Sequence, residues 1–281
     1  MNGRALCLAL LLGLAACTEQ TESRELLLAT TTSVQDSGLL DELLPLFHEE
    51  TGIDVRAIAV GTGAALRMGA EGNVDVLLTH APEAELELVA SGAVHGRRPF
   101  MENFFVIAGP PEDPLGVAEA ESALEAYRRL WQGRARYVSR GDDSGTHRRE
   151  RALLRDAGLA PEGDWEGYMR TGSGMGLSLQ VAGEKRAYIL SDMGSFLAFR
   201  ERTGLVALSR EEPELRNVYS ILRVNEARIP GRIRAESSQA FERFLVRPDV
   251  QRRIASFGHE RFGRALFRPL LLEPDGGASV E

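Results

Sequence analysis

Cysteine is nearly missing from this 281-residue chain, whose 2 cysteines are Cys7 and Cys17. The body beyond them therefore has no disulfide, no thiol nucleophile and no thiolate metal site. Positive charge is also in deficit, with 33 Lys and Arg against 41 Asp and Glu and a net charge of -8. That balance argues against a broad nucleic-acid surface, though not against a small anion site governed by its own few dipoles. His48, His80, His95, His147 and His259 lack ligand spacing, so they read as solvated surface residues and no protein-ligated metal is expected. His80 and His147 are the two that could border a cleft. No Gly-x-Ser-x-Gly elbow occurs and no lysine marks a Walker loop. The run Gly172-Ser173-Gly174-Met175-Gly176 is too short for a dinucleotide fingerprint. Ser144, His147 and Asp142 or Asp143 could make a hydrolase triad, but they crowd one turn, whereas a triad converges from separate elements. Neither a repeat nor a coiled coil is present.

What remains is an ordinary globule, 43% hydrophobic and 26% charged, long enough for one large or two medium domains. At the N-terminus Arg4 precedes an apolar run, Ala5 to Leu14, too short to span a membrane and shaped like a signal-peptide core. The following Leu14-Ala15-Ala16-Cys17 resembles a bacterial lipobox. It implies a signal peptide over 1–16, lipid on the Cys17 sulfur, a polar tether over 17–24, and a periplasmic or otherwise extracytoplasmic protein anchored to a membrane. Residues 271–281 read as a disordered tail.

Between these ends, strands and helices alternate. Glu25 to Thr30 is a continuous apolar run suited to a buried parallel strand. It breaks into a polar loop, Thr31 to Gly38, before Leu39, Leu40, Leu43, Leu44 and Phe47 recur at helical spacing. Ile53–Val60 alternates like a strand and ends in Gly61-Thr62-Gly63. Val74–Leu78 is a third strand, with a helix from Pro82 to Ala90. After Phe104–Ala108 the glycine–proline stretch 109–114 marks a composition shift. A second unit follows, with a helix over Ala118–Trp131, a strand over 187–192 and a helix over Phe196–Arg202. The segment Asn217–Val224 then returns to the first unit. Such alternation predicts an α/β fold with a mostly parallel sheet in each unit and its ligand at the strands' C-terminal edge.

The stretch Tyr137 to His147 concentrates the chemistry. A short apolar pair enters a loop with one arginine, glycines and hydroxyls, and Arg148–Asp156 reads as a helix with Leu153 and Leu154 buried. Strand, glycine-bearing loop and helix start together aim free N–H groups at an anion. Arg140 adds a donor fork suited to tetrahedral oxyanions. Asp142, Asp143 or Ser144 can serve as the helix N-cap, and the two aspartates are expected to cap rather than to face a ligand.

Taken with Thr30-Thr31-Thr32-Ser33, Gln35-Asp36-Ser37-Gly38, Val60-Gly61-Thr62-Gly63, Asp75-Val76-Leu77-Leu78 and His80-Ala81-Pro82-Glu83, the Ser139–His147 loop completes an ordered set. The chain resembles the tungstate-binding, lipid-anchored component of bacterial ABC importers over roughly residues 25–270. That resemblance implies a two-lobed periplasmic-binding-protein fold. Residues 25–104 and 216–270 would form one lobe and 105–215 the other. It implies a monomer that hands tungstate or molybdate to permease and ATPase subunits, with no catalysis, cofactor or nucleic acid. Thr31, Thr32, Ser33, Thr62, Gly63, Arg140, Ser144, Gly145, Thr146 and Ser173 would hold the oxyanion, a species with oxygens to offer and no hydrogens, so that donors alone suit it. Met193 stands where the resemblance leads one to expect a polar or basic residue. Phosphate is the rival ligand, because it keeps a proton and needs a carboxylate acceptor that Asp142 or Asp143 could supply.

Overall fold

A computed structural model of the chain describes residues 24–163 and 165–272. The expected signal peptide, Cys17, most of the tether and the tail from 273 onward lie outside them. Among the described residues no helix is long and apolar enough to cross a membrane.

The described residues begin with β1 (Arg24–Thr31), so Arg24 belongs to a strand rather than to the tether. Next come α1 (Thr32–Ser37), α2 (Leu39–Thr51), β2 (Ile53–Val60), α3 (Thr62–Ala70), β3 (Val76–Thr79) and α4 (Pro82–Ala90). A long β4 (Arg98–Gly109) leads to α5 (Ala123–Gln132), β5 (Tyr137–Ser139), α6 (Gly145–Asp156), β6 (Tyr168–Arg170), α7 (Met175–Lys185), β7 (Tyr188–Asp192) and α8 (Met193–Thr203). Then follow β8 (Val206–Ala207), β9 (Arg216–Arg223), α9 (Ala235–Leu245), α10 (Pro248–Ser256), α11 (His259–Phe262) and β10 (Arg268–Pro269), the last of the described elements.

The strands run in the order β2-β1-β3-β9-β4-β7-β5-β6. Pairs among β1, β2 and β3, and among β5, β6 and β7, are parallel. Antiparallel pairing enters through β4 and β9. β4 pairs with β9 along Arg98–Phe104 and then changes partner, pairing with β7 along Phe105–Ala108. One strand thus belongs to both sheets. Its two faces carry apolar side chains into separate clusters, with Val106 and Ala108 in one and Phe105 and Ile107 in the other, as period-2 alternation requires. The largest cluster runs from Leu26, Phe47 and Phe241 on one side to Val138, Leu179 and Ile189 on the other. Met193, at the start of α8, is buried in that same cluster, so the apolar residue at this place is packing rather than ligand chemistry.

The sequence places a loop at Thr31–Gly38; the structure has a helix there. Thr31 is extended (φ -95, ψ 154) and α1 starts at Thr32, while Gly38 at φ 81 ends α1 and opens α2. That left-handed turn between two helices suits a glycine. The helix expected over 118–131 starts later, at Ala123, where the Ser122 hydroxyl accepts from Glu125 N. β6, β8 and β10 are further strands that sequence patterning missed.

Candidate functional site

Strand-to-helix turns gather at the C-terminal ends of the parallel strands. β1 runs directly into α1, Gly61 links β2 to α3, and short loops join β5 to α6 and β6 to α7. Each such helix start leaves unpaired backbone N–H groups and a partial positive charge. Thr31 is buried at 3% exposure and Thr62 at 1%. Thr31 Oγ1 lies 3.1 Å from Ser33 Oγ, which lies 3.3 Å from His80 Nε2. Thr32, the first residue of α1, is exposed.

In the second unit Arg140 is 7% exposed. Its Nε donates to the Ser173 carbonyl at 3.3 Å and its Nη2 to Asp142 Oδ2 at 2.5 Å. Ser173 therefore supports Arg140 through its carbonyl, and its own hydroxyl donates to Thr171 O, a local turn bond rather than a free donor. Ser144 is the N-cap of α6: its Oγ accepts from His147 N at 3.3 Å. A hydroxyl that accepts one bond still has its hydrogen to give. Thr146 and Gly145 are buried beside it.

The expectation that both aspartates cap α6 is corrected. Ser144 holds the cap, Asp142 Oδ1 accepts from Ser144 N and its Oδ2 holds Arg140, and Asp143 pairs with Arg148 at 2.7 Å. The triad alternative fails on geometry. His147 Nδ1 accepts from Asp143 N at 3.0 Å, so that ring nitrogen holds a backbone amide. Burial lowers the pKa of His147.

The two units meet across this group. A Cβ on Gly145 would lie 2.7 Å from His80 Cε1, and one on Gly63 would lie 3.3 Å from Arg148 Nη2. Glycine at both places leaves room for a side chain from the opposite side, the His80 ring against Gly145 and the Arg148 guanidinium against Gly63. Asp36 of α1 also senses Arg140: burial and Asp192 raise its pKa, and Arg140 lowers it. His80 is the residue most misjudged from sequence. It is buried, not solvated, with Nδ1 2.8 Å from Asn217 Oδ1 and its ring 4.8 Å from the Tyr219 ring. Asn217 lies 137 residues from His80, so no local pattern could have joined them. A cavity of about 380 Å³ lies beside the group, lined by His80, Pro82, Phe105, Gly145, Arg149 and Asn217 among others. Thr31, Ser33, Thr62 and Arg140 do not line it, so it is a neighbour of the donor group rather than its centre.

A family model described as a PBP superfamily domain matches residues 18–249. The chain belongs to the PBP superfamily. Within it, the chain is 41% identical over 254 residues to the tungstate-binding protein TupA of Peptoclostridium acidaminophilum, covering 89% of this chain and 88% of that one. The structure of the tungstate-binding protein TupA from Desulfovibrio alaskensis G20 aligns with a TM-score of 0.80 at 37% identity, over 89% of this chain and 100% of that one. That of the tungstate ABC transporter from Geobacter sulfurreducens aligns at 0.73 and 41% identity, over 80% and 95%. Membership in the PBP superfamily explains the α/β sheets and makes this chain a binding component rather than an enzyme.

Proposed function

We propose that this PBP-superfamily chain captures tungstate, or the near-identical molybdate, for an ABC importer. The observation that carries the reading is the approach of Gly145 to His80 and of Gly63 to Arg148, which brings the hydroxyl-bearing turns of both units around one buried arginine. The relatives named for tungstate support the ligand. In this reading the anion takes donors from Thr31, Ser33, Thr62, Gly63, Arg140, Ser144, Gly145 and Thr146. Thr32 contributes backbone N–H, and Ser173 steadies Arg140. Residues 25–104 and 216–270 form one lobe and 105–215 the other, hinged where β4 changes partner and where β9 begins. The protein works as a monomer outside the cytoplasm, held by lipid at Cys17 after removal of residues 1–16, and delivers its anion to permease and ATPase subunits. Titration calorimetry against tungstate, molybdate, sulfate and phosphate tests the reading. Tungstate and molybdate should bind tightest; tighter binding of phosphate would overturn it.

A further inference from the structure

A chain of hydrogen bonds behind the donor hydroxyls has a direction that can be worked out atom by atom. Asn217 Nδ2 donates to Asn103 Oδ1 at 2.8 Å and to Tyr219 OH at 2.9 Å. The Asn217 atom that faces His80 Nδ1 is therefore Oδ1, at 2.8 Å. An amide oxygen only accepts, so Nδ1 carries a hydrogen. In a neutral imidazole the other nitrogen, Nε2, is then an acceptor. Ser33 Oγ, 3.3 Å away, must donate to it, and Thr31 Oγ1, 3.1 Å further along, must donate to Ser33. Both hydroxyl hydrogens point inward, away from any anion.

We infer that His80 sets the direction of this hydroxyl chain and takes up one proton when a fully deprotonated oxyanion binds, which turns the Ser33 and Thr31 hydrogens toward the anion. With Nε2 protonated, its N–H donates to Ser33 Oγ. Ser33 then passes its hydrogen outward, to Thr31 or to the anion, and Thr31 gives its own to the anion. One proton on the ring thus supplies one more outward hydrogen and one positive charge. His80 is a positioning residue that acts through Ser33. The inference rests on the oxyanion reading above.

The surroundings favour this exchange. Burial holds the pKa of His80 below its ordinary value, against the Asn217 hydrogen bond and the carboxylates of Glu85 on α4 and Asp192 at the end of β7; Arg140 acts with burial. Asp192 caps α8, its Oδ1 accepting from Ser195 N at 2.9 Å, while its Oδ2 is buried without a hydrogen-bond partner among the described residues. The cavity on the outer side adds Glu83 and Glu87 from α4, Arg148 and Arg149 from α6, and Arg216 from β9, charges of both signs. Phe105 on β4 and Tyr219 on β9 flank the ring and are uncharged, burial holding the Tyr219 hydroxyl well above the ordinary tyrosine value. Arg140 already has Asp142 as a partner, so formal charge offsets little of a dianion unless His80 joins in. A dianion raises the His80 pKa. The added affinity is then complete below the unliganded value and is lost as pH rises through the value in the complex.

The test is calorimetric titration of the protein with tungstate from about pH 6.5, the ordinary imidazole value, upward to about pH 9, in two buffers of different ionisation heat. The expected result is proton uptake approaching one per anion and affinity falling by up to about tenfold per pH unit. His80→Gln should bind with a flatter profile and no uptake at this site. Asn217→Asp gives Nδ1–H a charged partner, so it should move the fall to higher pH. It also keeps the inference testable if His80→Gln does not fold. Tight tungstate binding without proton uptake overturns the inference and leaves the oxyanion reading standing. So does a slope unchanged in both variants, which puts the proton elsewhere. Failure to bind any oxyanion overturns both.

Discussion

The turns after β1, β2 and β3 present Thr31, Ser33, Thr62 and His80, none with a permanent charge, while the turn after β5 carries Arg140 held between Asp142 and the Ser173 carbonyl. One side carries neutral groups, of which Thr31, Ser33 and His80 are linked by hydrogen bonds; the other carries a charge with its own local partners. For a tetrahedral dianion, neutral donors and helix starts answer part of the charge, and one arginine adds to them without the mutual repulsion of several buried cations. Under the proposed reading, splitting the two roles between walls would leave neither wall binding well alone, and closure would complete the site.

The sharpest way to break this comparison is to remove the charge. Arg140→Ala should weaken tungstate binding by about 2–5 kcal/mol, the range for losing one partner of a buried charged pair, while the fold survives. A loss under about 0.5 kcal/mol by calorimetry would put Arg140 outside the site and make the walls equivalent.

Beneath the charged wall, α6 carries Glu150, buried at 1% exposure. Tyr137 OH donates to its Oε2 at 3.1 Å, and Tyr168 OH donates to Oε1. Burial raises its carboxyl from 4.5 to about 7, against those hydrogen bonds. The folded value lies above the unfolded one. Its stabilising contribution is therefore complete below about pH 4.5 and lost as pH rises through about 7, by up to about 3 kcal/mol. Urea unfolding at about pH 5 and pH 8 should show Glu150→Gln gaining on the parent at the higher pH. His80 acts in the opposite sense below its ordinary value, being buried neutral, but it is common to both proteins and cancels in the difference. The neutral wall has no buried carboxyl hydrogen-bonded in this way by tyrosines among its described residues, so an equal gain from Glu85→Gln would erase the distinction.

Where the walls meet, Gly145→Ala is the next test. Its Cβ would sit 2.7 Å from His80 Cε1, a contact made across the two units. The clash should cost about 1–3 kcal/mol of closure, as overpacking does. Affinity should drop while the melting temperature of the ligand-free protein, free to open, stays nearly unchanged. Equal losses in both would mean that the units are packed rigidly and do not hinge.

How much of this was readable in the sequence follows from how local each signal is. The α6 turn was legible because strand, glycine, cap and the buried pair Leu153 and Leu154 all lie within one short stretch. α1 was not, since Thr32 to Ser37 is polar and only Val34 and Ser37 are buried, too few for a helical period to show. The first half of β4 hid for a similar reason. Pro99, Glu102 and Asn103 interrupt its alternation, and a register shift falls between Pro99 and Met101. His80 and Asn217 were out of reach altogether, because their pairing exists only once β3 and β9 lie side by side.

The smallest expected effects come from the aspartates of the charged wall, and they separate a dianion from a protonated ligand. Asp143 meets Arg148 in a pair whose side chains are 65% and 35% exposed, so removing its charge should cost within about 0.5 kcal/mol. Asp142 is different, because its Oδ2 occupies a guanidinium nitrogen that the proposed anion would also use. A carboxylate about 4 Å from a dianion would repel it by roughly 4 kcal/mol per unit charge at an intermediate dielectric, so the anion gains if Asp142 yields its place. Asp142→Asn keeps the acceptor for Ser144 N and lowers that competition. Tungstate affinity should stay level or rise by up to about 1 kcal/mol, and no phosphate binding should appear in either variant. Phosphate should compete poorly across about pH 6–8, in the parent and in both variants. A protonated oxyanion would need a carboxylate to accept its hydrogen, so phosphate binding tighter than tungstate and lost in Asp142→Asn would turn the charged wall from a donor surface into an acceptor one.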